Sequence, residues 1–116
     1  MQTREIHEGG IDILAIEGEI DLSCSPELRL ILHGYSKAKC PALILDFKDV
    51  AYVDSSALAT LIEYVRDAQA FGGRLIIVQM SERVRTIFDI VRLGEFLPIL
   101  PSIAEAKAAF LVKPSA

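Results

Sequence analysis

The 116-residue sequence has no tryptophan, two histidines and two cysteines, and each scarcity closes off a class of chemistry. Cys24 and Cys40 form neither a CxxC pair nor part of a Cys/His cluster, so a zinc site or a dithiol centre lacks ligands. They read as ordinary reduced thiols. His7 falls on the first strand and His33 on the first helix, with no sequence reason to converge on a serine. A G-x-S-x-G elbow is missing too, which argues against Ser–His catalysis. Gly9-Gly10 and Gly72-Gly73 match neither glycine pattern that cradles phosphates. Basic residues are not in excess: 12 lysines and arginines face 16 acids, for a net charge of −4, and they are scattered. No electrostatic footprint for nucleic acid results. No apolar run approaches the roughly 18 residues of a membrane span, and Met1 to His7 carries no apolar signal region. The expectation is a soluble, cytoplasmic protein without direct membrane insertion and without a cofactor.

What is present reads as one globular domain over residues 1–112 with a flexible tail at 113–116. Apolar residues make up 52% of the chain and charged residues 24%, enough for a core without staples. Gly9-Gly10 between Thr3–His7 and Ile11–Gly18 predicts an antiparallel hairpin. Ser25-Pro26 reads as an N-cap and first helical position, followed by a buried stripe of Leu28, Ile31, Leu32 and Tyr35. Ala42-Leu43-Ile44-Leu45 and Leu75-Ile76-Ile77-Val78 are continuously apolar, the pattern of central strands. Between them a helix from Ser55 to Phe71 buries Leu58, Leu61, Ile62, Val65 and Ala68, completing a parallel strand-helix-strand unit.

Farther on, Ser81 caps a helix with Val84, Ile87, Phe88 and Val91 inside and Gly94 as its C′ residue. Phe96–Leu100 reads as an edge strand because of Pro98, and Ser102 with Glu105 as a capping box. The order β-β-α-β-α-β-α-β-α predicts an α/β fold of α+β-like sandwich form. It comprises a small mixed β-sheet opened by an antiparallel hairpin, with βαβ units and about four helices packed against it.

The stretch from Asp46 to Leu58 is the most informative, because a buried strand runs out there and a helix begins on two consecutive serines. Ser56, Thr60, Glu63 and Asp67 fall three to four residues apart, opposite the Leu58/Leu61/Val65 stripe, and are expected to face solvent. Asp54 or Ser55 is the expected N-cap, leaving the Ser56 hydroxyl uncommitted. Asp54-Ser55-Ser56 reads either as a capping cluster alone or as a site. Asp21, in Gly18-Glu19-Ile20-Asp21, falls on the same rim if the second strand pairs with the central one. It reads either as a solvated loop acid or as part of a partner contact. A phosphoryl group on Ser56 would suit the positive end of a helix dipole and disfavour a partner docked flush against it.

Gly18-Glu19-Ile20-Asp21, Leu45-Asp46-Phe47 through Val53-Asp54-Ser55-Ser56, Gly72-Gly73-Arg74-Leu75, and Val84 through Leu93 resemble, in order and spacing, the STAS domain of anti-sigma factor antagonists. The resemblance covers nearly the whole chain. It implies a non-enzymatic binding switch that sequesters an anti-sigma factor serine kinase, so freeing a sigma factor for transcription. Phosphorylation ends the complex and a PP2C-type phosphatase restores it. By position, Ser56 is the implied phosphoacceptor, with Ser55 its neighbour. Asp21, Asp54, Ser55, Ser56 and Thr60 are the implied partner contacts, and a weak homodimer is compatible with the pattern. Ala57 stands where the family usually has glycine, and its methyl would crowd a close backbone approach. That departure motivates the alternative of a constitutive STAS scaffold subunit in a lipid-transport or stress-signalling complex, without a kinase cycle.

Overall fold

Gly9 and Gly10 adopt φ angles of 55° and 82°, the positive values a two-residue hairpin needs. They turn β1 (Gln2–Glu8) back onto β2 (Ile11–Ile20) as an antiparallel pair. In the computed structural model, which describes residues 1–112, the chain thereafter advances in one direction. β3 (Ala42–Val53), β4 (Arg74–Val78) and β5 (Ile99–Leu100) add in sequence order, each parallel to its predecessor, to give the sheet β1-β2-β3-β4-β5. The crossovers are α1 (Ser25–Lys37), α2 (Ser55–Gln69) and α3 (Glu82–Ile90).

Right-handed crossovers that always step the same way leave their helices on one face. Accordingly Leu28 and Leu32 of α1, Leu58 and Leu61 of α2, and Val84 and Phe88 of α3 share one core with Leu14, Leu43 and Leu45. The other face is covered by α4 (Ile103–Leu111), whose Ala106 packs with Ile13, Ile44, Ile76 and Val78. This is the mixed sandwich and the element order expected. The expected tail at 113–116 lies outside the described residues. No described helix is long and apolar enough to cross a membrane.

β3 is longer than its apolar run. Its pairing with β2 shifts register between Ala15 and Glu17 and again between Gly18 and Glu19, where β3 carries one extra residue each time. Such bulges bend and twist a strand and reset which side chains point inward. On the face toward α1, α2 and α3, buried positions therefore run Leu43, Leu45, Phe47 and then Val50 and Val53, a spacing of two followed by three. The extension ends with Val53 paired to Ile20. Phe47 meets Phe88 edge-on, with ring centroids 6.3 Å apart.

Several local expectations need correction. Cys24, not Ser25, holds the cap position of α1 and makes no side-chain cap; Ser25 is buried, and its N–H donates to the Asp21 carbonyl at 2.8 Å. The turn from Asp21 to Cys24 satisfies the helix start, so no serine cap is needed. Pro26 does sit in the first turn. At the end of α3, Arg92 rather than Gly94 takes the left-handed conformation, at φ 56°, before a short 3₁₀ turn over Leu93–Glu95, and Val91 is exposed. β5 is the edge strand expected, but two residues long, and the Pro98 carbonyl accepts from Ile77 N–H at 2.9 Å. Ser81 and Ser102 cap α3 and α4 as expected; the Glu105 carboxylate, however, accepts from Ser102 Oγ–H at 3.4 Å rather than from the Ser102 backbone N–H that a full capping box uses.

Both cysteines are free. Burial, with Asp12 as hydrogen-bond acceptor 3.1 Å away, pushes the Cys40 thiol up to about 12.

Because Phe47 anchors the bulged half of β3, Phe47→Ala is expected to cost about 3–5 kcal/mol of stability. The shift of the urea midpoint measures it; a loss below 1 kcal/mol would show that this half of the strand is not packed as described.

Candidate functional site

α2 begins where β3 ends. Asp54 has extended backbone angles of −110° and −176° and is the N-cap. Its Oδ1 accepts from Ser56 N–H at 2.9 Å, Ala57 N–H at 3.1 Å and Ser56 Oγ–H at 2.6 Å. Its Oδ2 accepts from Leu22 N–H at 3.1 Å, and its own N–H donates to the Ile20 carbonyl at 3.2 Å. The Ser56 hydroxyl, helped by the Ala57, Ser56 and Leu22 amides, holds the Asp54 carboxyl below the usual carboxylate range despite partial desolvation.

Asp21 closes the loop between β2 and α1. Its Oδ1 accepts from Ser23 Oγ–H at 2.5 Å and Ser23 N–H at 2.9 Å, which hold this carboxyl low, while the Asp54 charge opposes them. The Ile20–Val53 pairing thus brings Asp21 and Asp54 to one rim, as the strand-adjacency argument requires.

The two serines differ from expectation. Ser56 is half-buried and its hydroxyl is held by Asp54, whereas Ser55 is the exposed one. Thr60 is buried, and its Oγ1 donates to the Ser56 carbonyl at 2.9 Å. The reason is that α2 is covered twice, by the sheet below and by α1 beside it. Thr60 lines the α1–α2 slit with Leu32 and His33, and Arg29 pairs with Glu63 across it at 3.1 Å. Thr60 steadies the backbone of Ser56 and offers no surface to a partner.

Ala57 is fully buried in the main core. Its methyl points away from the rim and crowds nothing that approaches from outside.

Neither histidine is brought to the serines: His7 bonds Asp12 by the hairpin, and His33 sits by the α1–α2 slit. Two residues on the rim escaped the sequence reading. Leu22 is 72% exposed on the loop that Asp54 holds. Tyr52 pairs with Glu19 near the strand end, with the Arg83 guanidinium 6.0 Å from its ring centre. For Leu22 the only signal is an apolar side chain between Asp21 and Ser23; Tyr52, between Ala51 and Val53, carries none. The assembled rim offers two hydroxyls, two carboxylates and two apolar side chains on an open surface.

A family model described as the STAS domain matches residues 4–106. The anti-sigma-B factor antagonist of Bacillus subtilis (strain 168) is 33% identical over 84 residues, covering 72% of this chain and 76% of that protein. The crystal structure of an anti-sigma factor antagonist from Mycobacterium paratuberculosis aligns with a TM-score of 0.87 at 22% identity, covering 96% of this chain and 94% of that one. The Bacillus protein SpoIIAA, solved in its phosphorylated form, has the same fold at a TM-score of 0.71 and 19% identity, covering 93% of this chain and 98% of that one.

Removing the cap by Asp54→Ala is expected to cost about 1–2 kcal/mol at pH 7. A carboxyl held low in the folded state stabilises above its ordinary pKa and loses that contribution as pH falls through the folded value. The stability gap between parent and variant therefore closes below about pH 4. Urea titrations at a series of pH values test this, and a gap independent of pH would contradict it.

Proposed function

Because the chain belongs to the STAS domain family, we propose that it acts as an anti-sigma factor antagonist, a cytoplasmic binding protein rather than an enzyme. Unmodified, its single domain docks an anti-sigma factor that is also a serine kinase, so that the sigma factor is released for transcription. The docking surface is the rim of Asp21, Asp54, Ser55 and Ser56, with Leu22 and Tyr52 beside them. Thr60 is left out of the contact set because it is buried.

The observation that carries this reading is the serine pair on the open first turn of α2, with Ser56 Oγ 2.6 Å from a capping carboxylate. The kinase, with its own ATP and magnesium, transfers the γ-phosphoryl group to Ser56. A P–Oγ bond forms as the bond to the β,γ-bridging oxygen breaks, ADP leaves, and the hydroxyl proton is lost. The ester adds roughly −1.5 to −2 charges beside the helix N-terminus, which the helix dipole tolerates. A partner seated on the rim would have to desolvate that charge, so docking weakens. A PP2C-type phosphatase hydrolyses the ester and resets the surface. The scaffold alternative was motivated by crowding by the Ala57 methyl; the burial of that residue supports the switch reading over it.

The test is incubation with the cognate kinase and ATP, followed by phosphate mapping. Label is expected on Ser56, lost in Ser56→Ala, and Ser56→Asp is expected to raise Kd for the kinase at least about tenfold, or ~1.4 kcal/mol. Label on Ser55 would follow its greater exposure and move the switch by one residue. Label on neither serine, or unchanged binding by Ser56→Asp, rejects the reading.

A further inference from the structure

We propose that Asp54 is a positioning residue that ties the chemical state of Ser56 to the placement of Leu22, so that esterifying Ser56 withdraws an apolar anchor from the docking surface. The inference rests on the reading of the rim as the kinase-docking surface, and the kinase is the occupant to which it commits.

Leu22 and Asp54 are 32 residues apart in sequence, and the Leu22 N–H to Asp54 Oδ2 bond is a direct tie between the loop and the start of α2. The loop's other hydrogen bonds are local: Ser23 to the Asp21 carboxylate, Cys24 and Ser25 to the Asp21 carbonyl. On the opposite side of the same carboxylate, Oδ1 accepts the Ser56 hydroxyl at 2.6 Å. A carboxylate is planar and rigid, so displacing Oδ1 also displaces Oδ2.

Esterification replaces the donating O–H with a phosphate carrying negative charge, and the attraction to Oδ1 becomes repulsion. The phosphate can itself accept from the Ser56 and Ala57 amides, because the unpaired amides of a helix N-terminus favour an anion. Asp54 is then displaced without loss of the helix, and the Leu22 amide loses its acceptor. Leu22, already 72% exposed, is no longer held against the start of α2 for a partner to cover. A phosphate on the exposed Ser55 would leave Oδ1 and the tie intact.

The experiment uses the full chain with phosphoserine installed at position 56 during translation, so no kinase is required. Exchange of the Leu22 amide with water, measured by NMR at neutral pH, is expected to accelerate at least tenfold over the unmodified protein. The Val84 amide, capped by Ser81 at 3.3 Å, is expected to stay unchanged as a control for folding. Phosphoserine at position 55 is expected to leave Leu22 slow. Asp54→Ser keeps a capping hydroxyl but has no second oxygen to reach the loop, and is expected to show fast Leu22 exchange without any phosphate. Slow exchange at Leu22 with phosphate on Ser56, or in Asp54→Ser, overturns the coupling. Kinase binding is measured separately: full affinity for the Ser56 phosphoprotein would reject the docking reading whatever Leu22 does. Leu22→Ala is expected to weaken binding by unmodified protein at least tenfold, and full affinity would remove Leu22 from the surface.

Discussion

A single carboxylate joins the two segments from which the rim is made. Asp54 accepts four donors, three from the first turn of α2 and one from the loop after β2, while its own amide reaches back to Ile20. The parallel ladder alone would place two strand ends side by side. The Asp54 side chain converts that adjacency into a defined arrangement of hydroxyls, amides and charge. It can do so only because the ladder continues to Val53, which in turn depends on the two bulges that keep Phe47, Val50 and Val53 inside.

The same topology accounts for the openness of the site. In doubly wound sheets a crevice forms where the strand order reverses and neighbouring crossovers leave on opposite faces. Here the order never reverses, so the crossover helices share one face and no such crevice forms at the carboxyl ends. A ridge lacking enclosure is poorly suited to surround a small substrate and well suited to a protein surface. Its chemistry is mixed: Asp21 and Asp54 are acidic, Leu22 and Tyr52 apolar, and Arg83 lies over the Tyr52 ring.

Much of this was legible from residues alone. The Gly9-Gly10 hairpin, the two fully apolar strands, the Ser81 and Ser102 caps and the amphipathic α2 each carry their signal within a few positions, and they led to the correct element order. The placement of Asp21 near Asp54 was legible as well, because it follows from one strand pairing. What escaped depends on more than one element at a time. The far half of β3 hid because bulges replace alternation with a spacing of three. Thr60 looked solvated because a helix wheel allows for one buried face, whereas α2 is packed by the sheet and by α1. Ser56 looked free because the second donor role of an N-cap neighbour, toward the capping side chain itself, leaves no trace in spacing. Arg92 displaced Gly94 as the left-handed residue without a sequence signal that would mark it.

The agreement between strand order and chain order also bears on how the molecule is assembled. No strand has to insert between two that are already paired, since each one docks on the edge left by its predecessor. Strand pairings therefore form between neighbouring units of the chain, which keeps their loop closures short and favours growth from one end, while α4 returns last to cover Ile13 and Ile44. Every hydrogen bond to Asp54 described above comes from residues preceding Gln69, the last residue of α2. During synthesis, the Asp54 hydrogen-bond network can be laid down before α3, β5 and α4 have left the ribosome.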